Sequence, residues 1–152
     1  FMPMETWGKY SGYTTDPNIN PHYIRPAMLQ QRLQKIMDEY VGGVGTWYMT
    51  SKYMLEEGFY YLDLLKEDSY HMCAENLHEL LRAWENFHRI LAGEAHARHI
   101  HFREETRYPG YYYRGDHLAI DDENWKCFVN STYDKESGEW DIFKREYHQL
   151  VP

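Results

Sequence analysis

Only two cysteines, Cys73 and Cys127, occur in the 152 residues, and no C-x-x-C pair is present. That scarcity removes the thiolate sets that an iron–sulfur cluster, a structural zinc or a dithiol couple requires. The two thiols are expected to be reduced, small packing residues of a cytoplasmic protein. Basic residues are also few: 16 Lys and Arg stand against 24 Asp and Glu, a formal net charge of −8. A surface that grips phosphate backbones needs clustered cations, so nucleic-acid binding is set aside. No apolar run approaches the roughly 20 residues that span a bilayer, and Phe1 opens no signal-peptide pattern. No membrane insertion is expected.

No glycine-rich phosphate loop follows a strand pattern, because GGVG joins two helical segments and suits a helix stop. The few serines lie outside any nucleophile-elbow context, which leaves a nucleophilic triad without support. What the chain has in quantity is aromatic surface, 17% of residues, with fifteen Tyr and five Trp. Each brings a large apolar body with a polar tip, suited to interfaces as well as cores.

The first residues are rich in turn formers: Pro3, Pro17, Pro21 and Pro26 are mixed with Gly8 and Gly12. Residues 1–25 are therefore expected to form an extended lead-in, lying on something rather than folding alone. A helix should begin at Pro26, where the missing N–H costs nothing, and carry Leu29, Leu33, Ile36, Met37 and Tyr40 to a stop in VGGVGT. Thr50 or Ser51 can cap a second helix with Leu55, Phe59, Leu62 and Leu65 on one face. Tyr53, Tyr60 and Leu64 lie around the rest of it, as on a helix sandwiched between neighbours. A third helix is expected over 69–103, with Leu77, Leu80, Leu81, Trp84, Phe87, Leu91 and Ala95 in the core. Glu79, Arg82, Glu85 and Arg89 would form its solvated face. The fold class predicted is mainly α: an antiparallel three-helix bundle over 26–108. After Pro109 the helical period is lost. Residues 109–152 read as an irregular, Tyr-rich arm with a β-hairpin, 126–133 and 139–147 flanking the turn DKESG.

Two E-x-x-H pairs, Glu75 with His78 and Glu85 with His88, have the spacing used by di-iron carboxylate bundles. Those sites take their two pairs from different helices. Here both fall on one helix, about 15 Å apart along its axis, and Glu56 and Glu57 do not supply the missing partners. His96, His99 and His101 near Glu94 could suggest zinc, but they do not share one face, and imidazoles at a helix C-terminus are the commoner use. No metal site is expected.

The stretch HIHFREETRYPGYYYRGD interleaves charges with tyrosines. Read blandly, it is a helix end and loop held by salt bridges. Read functionally, it is a contact surface, since Arg and Tyr are enriched where interfaces bury their anchors. The candidate interface residues are Arg103, Glu105, Arg107, Tyr111, Tyr112, Tyr113, Arg114, Asp116 and Trp125.

FREETRYPGYYYR followed by DDENWKCFVNSTYD resembles the C-terminal domain of the adenylylsulfate reductase flavoprotein subunits. The likeness runs through NINPHYIRP, DEYVGGVGTWYMTSK, LLKEDS and LHELLRAWENFHR, and so covers nearly the whole chain. A more distant likeness links it to succinate dehydrogenase and fumarate reductase flavoproteins, through Glu105, Thr106 and Arg107 and the DDENW of Asp121, Asp122, Glu123, Asn124 and Trp125. The Tyr-rich insertion between them favours the sulfur enzyme. The resemblance implies an oxidoreductase that interconverts adenylylsulfate with sulfite and AMP, with FAD in the parent subunit and [4Fe–4S] clusters in a beta subunit. It assigns no catalytic, cofactor-binding or metal role here, because the family's flavin fold and catalytic residues lie upstream. The chain alone is then expected to be an inactive structural and interaction module. Its partners would be the flavin-binding region of the same subunit and the iron–sulfur beta subunit. The alternative is a stand-alone binding or scaffold protein that kept the domain without the enzyme.

Overall fold

A computed structural model describes residues 24–74 and 76–148, which hold four helices and two small sheets. The expected extended lead-in lies outside the described residues, apart from Ile24 and Arg25, as does Glu75 of the first E-x-x-H pair.

Helix α1 (Pro26–Tyr40) opens on its proline and buries Leu29 and Leu33. Its end is built around one carboxylate. Asp38 accepts the Gly45 N–H on Oδ1 at 2.9 Å, while its carbonyl accepts the Gly43 N–H at 3.0 Å. A Cβ on Gly43 would lie 2.3 Å from Asp38 Oδ1, so only glycine lets the chain pass this close. A 3-10 turn (Val44–Thr46) and a short strand β1 (Met49–Thr50) lead to α2 (Lys52–Ser69), capped where the sequence offers Ser51, whose Oγ accepts the Met54 N–H. Helix α3 (Leu77–Phe102) follows, then β2 (Tyr113–Arg114), a one-turn helix α4 (Asp122–Trp125), β3 (Cys127–Tyr133) and β4 (Trp140–Glu146).

The three long helices touch one another pairwise, and Leu29, Leu33, Leu55, Leu62, Leu65 and Ile90 form the centre of their core. Gly58 lets α1 and α2 meet closely: a Cβ there would stand 2.9 Å from Tyr40 Cβ. Strand β1 pairs in parallel with β2, and β3 pairs antiparallel with β4. No helix of the described residues is long and apolar enough to cross a membrane.

Three expectations fail. First, α3 does not start at residue 69. The chain leaves α2 in extended form, where the Ile24 N–H donates to the His71 carbonyl and the Cys73 N–H to the Ile24 carbonyl. Asn76 then caps the new helix by accepting the Glu79 N–H. Second, α3 is rotated. Leu77, Leu81 and Trp84 are 67%, 53% and 47% exposed, and the buried line is Ala83, Asn86, Ile90, Glu94, Ala97 and Ile100. The shift is about one residue, or about 100° of helix. Close approach is the cause: α3 meets its neighbours through small side chains, and a Cβ on Gly93 would lie 3.0 Å from Met37 Sδ. Its two buried polar residues are satisfied, Asn86 donating to the Pro26 carbonyl at 2.7 Å and Glu94 pairing with Lys66 and Arg98. Third, α2 is not sandwiched. Tyr53, Tyr60 and Leu64 are exposed on the side away from Leu55 and Leu62.

Candidate interaction site

Helix α3 ends at Phe102 with carbonyls that have no helical partner, and the chain answers with a buried arginine. Arg114 is 1% exposed. Its Nη1 donates to the carbonyls of Ile100, His101 and Arg103 at 2.5, 3.1 and 2.8 Å. Its Nε and Nη2 grip both oxygens of Asp116 at 2.9 and 2.8 Å, a bidentate pair. Asp116 Oδ2 also accepts the Lys52 N–H at the start of α2, at 3.1 Å. One ion pair thus sets a cation on the negative end of α3 and an anion on the positive end of α2, the favourable sign at both. The Arg114 guanidinium holds the Asp116 carboxyl far below the usual carboxylate range; burial opposes this and the Lys52 N–H assists it.

A second knot forms around Glu105, which is fully buried. Its Oε1 accepts from Arg103 Nη1 and Arg107 Nε, and its Oε2 from Arg107 Nη2 and the Asp121 N–H. Burial alone would push the Glu105 carboxyl up, but hydrogen bonds from Arg107, the Asp121 N–H and Arg103 outweigh it and hold the group below its ordinary value. The Glu105 carboxylate in turn raises the Arg107 guanidinium, with help from Asp122 at 2.8 Å. Arg103 reaches on to the carbonyls of Trp125 and Cys127 at 2.9 and 2.8 Å, which fastens the hairpin to α3. Trp125 is buried between cations, with Lys144 Nζ 3.6 Å from its ring centre, Arg103 Cζ at 5.6 Å, and the edge of Phe102 against it.

The structure therefore splits the nine candidate residues. Glu105, Arg114 and Trp125 are internal. Arg103 and Arg107 are internal at their heads, while Asp116 stays on the outside of its pair. Tyr113 pairs through its backbone with β1, donating its N–H to the Tyr48 carbonyl at 2.7 Å. Tyr112 packs on the helical core, and burial raises its hydroxyl pKa. Tyr111, 80% exposed, is the member that projects into solvent. The reading as a salt-bridged helix end describes most of the stretch, and the available surface is its rim.

That rim borders a groove of about 1070 Å³ between the last turns of α3, the tyrosine loop and β3. His96, His99, Arg103, Arg107, Tyr108 and Tyr111 line one side; Lys126, Cys127, Phe128 and Val129 line the other. Burial lowers the His96 pKa, and His99 adds to the effect. The nine candidates leave out Asp122, Lys144 and Thr106. Asp122 stands out in the sequence only as a letter of DDENW, and the Lys144 contact depends on hairpin register. Thr106 accepts the Arg114 N–H and donates to the His117 carbonyl, at 3.0 and 2.8 Å. Among the described residues, no group of three or more His, Cys, Asp or Glu is arranged to hold a metal ion.

No protein-family model matches the chain. It is 51% identical over all its 152 residues to the adenylylsulfate reductase subunit alpha of Megalodesulfovibrio gigas, spanning 23% of that protein's length. The solved adenylylsulfate reductase of the hyperthermophile Archaeoglobus fulgidus superposes with a TM-score of 0.86 at 49% identity, over 99% of this chain and 23% of that one. A structure of adenosine-5-phosphosulfate reductase carrying sulfite as a covalent adduct gives the same TM-score, identity and coverage. Over its whole length, then, the chain is a homologue of the C-terminal part of the adenylylsulfate reductase alpha subunit.

Proposed function

We propose that the chain works as the C-terminal helical module of an adenylylsulfate reductase alpha subunit, within a cytoplasmic oxidoreductase that interconverts adenylylsulfate with sulfite and AMP. Its own role is structural: residues 26–108 form an antiparallel three-helix bundle and 109–152 an arm. Together they meet the flavin-binding region of the same subunit and the iron–sulfur beta subunit. The observation that carries this reading is the identity of 51% spread over the entire chain.

The residues present do not fit the parent's redox groups. The GGVG turn has the composition of a phosphate cradle, yet its Gly45 and Gly43 N–H groups are already given to Asp38, whose carboxylate would also repel a pyrophosphate. A four-iron cluster takes four thiolates, and this chain has Cys73, buried, and Cys127, half-buried. No step of the reaction is therefore assigned to this chain, and its contribution is to hold its neighbours in place.

The test is reconstitution. Mixed with the separately expressed flavin-binding region, the chain should form a 1:1 complex by size-exclusion chromatography. A Tyr108→Ser, Tyr111→Ser double variant, altered only at exposed rings, should bind at least tenfold more weakly with its own fold intact. Absence of any complex would overturn the module reading.

A further inference from the structure

The outer edge of β3 opens into the groove. The Asp134 N–H donates to the Glu139 carbonyl at 2.9 Å, and the register continues Thr132↔Asp141, Asn130↔Phe143 and Phe128↔Arg145. Hydrogen-bonded and non-bonded pairs alternate in an antiparallel ladder. The even-numbered residues of β3 therefore turn their N–H and C=O toward β4, while Cys127, Val129 and Ser131 turn theirs outward. Cys127 bears this out, since its carbonyl accepts Arg103 Nη2 instead of a β4 donor. Among the described residues no strand pairs with that edge. Three consecutive residues, Cys127, Phe128 and Val129, line the groove. Successive side chains point to opposite faces of a strand, Tyr147 past the end of β4 joins them in the lining, and the hydrogen bond from Arg103 to the Cys127 carbonyl places the outer edge of β3 beside the end of α3.

The electrostatics of the lining run against those of the molecule. On a protein of net charge −8 the groove is lined by Arg103, Arg107 and Lys126, and by no carboxylate. Glu105 lies beneath and Asp122 outside, and they offset the two arginines. Lys126, which lies over the Tyr147 ring, has no ion pair among the described residues. The exposed rings of Tyr108, Tyr111 and Phe128 flank the opening.

We propose that the groove binds an extended acidic polypeptide segment as a third strand on the outer edge of β3. The Val129 and Ser131 backbone groups make the ladder, Lys126 meets a carboxylate, and the rings take the alternate apolar side chains. A free strand edge reads backbone, which favours a polypeptide over a small anion. A two-stranded ribbon is marginal alone and gains from a third strand. This rests on the reading of the arm as a contact surface and specifies the chemistry it contacts.

The probe is the peptide acetyl-Glu-Val-Glu-Val-Glu-Val-amide, titrated into the ¹⁵N-labelled full chain. The Val129 and Ser131 amide resonances should shift and their hydrogen exchange should slow at least tenfold. The Lys-for-Glu peptide and a peptide N-methylated on alternate amides should each bind at least tenfold more weakly. K126E should weaken the acidic peptide at least fivefold, with the β3–β4 amide pattern unchanged. V129P removes an outward N–H, not a ladder donor, and should abolish binding. No binding at millimolar peptide, equal binding of the lysine peptide, or shifts confined to the outer face of α3 would each overturn the inference. Should peptide binding fail while the chain still forms its complex with the flavin-binding region, the strand-addition idea falls and the docking reading stands. Binding at the β3 edge with no such complex would leave strand addition standing and remove the docking reading.

Discussion

A guanidinium leaves water at a large cost unless its donors are met, and Arg114 meets that cost with three carbonyls and a carboxylate. Lysine cannot replace it, because a single ammonium cannot cap α3 and hold both oxygens of Asp116 together. Arg114→Lys should destabilise the chain by about 3 kcal/mol in a urea titration, near the lower end of what breaking a buried pair costs, since Asp116 is partly exposed. The acid side of the stability curve follows from the same knots. Glu105 and Asp116 both have folded pKa values below their ordinary 4.5 and 3.8. A depressed carboxyl contributes stability that is complete above its unfolded pKa and is lost as pH falls toward its folded one. The contribution of these two carboxyls should therefore be complete near pH 6 and decline below about pH 4.5. Asp116→Asn should make that decline shallower while lowering the plateau. A decline of unchanged steepness in the variant would separate Asp116 from acid unfolding.

At the scale of elements, the phase of α3 is the point where burial and sequence pattern part. Ile90 is 1% exposed and Leu81 53%. Ile90→Ala should cost about 2 to 5 kcal/mol, the usual range for a fully buried aliphatic, and Leu81→Ala under about 1. Equal losses by chemical denaturation would return α3 to the phase its large residues suggest. The first two helices were legible because Pro26, Ser51 and the glycines after Tyr40 mark their limits. The hairpin was legible because DKESG separates two β-rich runs. The phase of α3 was not, because hydrophobic periodicity weighs large residues, whereas α3 packs on its neighbours through small ones, Ala83, Gly93 and Ala97. A buried Glu94 is read from sequence as a surface residue until Lys66 and Arg98 are seen beside it.

The site was legible in composition and hidden in direction. Arg, Glu and Tyr between residues 103 and 116 signalled dense polar packing, but sequence spacing does not say whether an arginine points out to a partner or back at its own helix. Arg114 points back because α3 ends twelve residues earlier with its carbonyls uncapped, a long-range fact of geometry. The pairing of β2 with β1, which fixes this direction, links residues far apart in the chain and involves two residues per strand, too short to leave a pattern.

Across the whole molecule, the rotation of α3 leaves an apolar face without a partner among the described residues. At about 100° per residue, Leu77, Leu81, Trp84, His88, Ala92, Ala95 and His99 fall within one arc of roughly a quarter-turn, and none of them is Asp, Glu, Lys or Arg. The charged residues of the helix, Glu79, Arg82, Glu85, Arg89, Glu94 and Arg98, all lie outside that arc. Helix α2 presents Tyr53, Tyr60 and Leu64 in a similar line. Soluble monomers seldom leave an apolar patch of more than about 300 to 600 Å² in water without a partner for it. The chain by itself should therefore self-associate, with a sedimentation coefficient that rises with concentration in the micromolar range. A Leu81→Glu, Trp84→Glu double variant should sediment as a monomer at every concentration. Its unfolding free energy should stay within about 1 kcal/mol of the parent, since neither side chain supports the core. A monodisperse wild-type chain at high concentration would mean that the α3 face is tolerated in water as it stands, and loss of stability in the variant would mean that the face is internal after all.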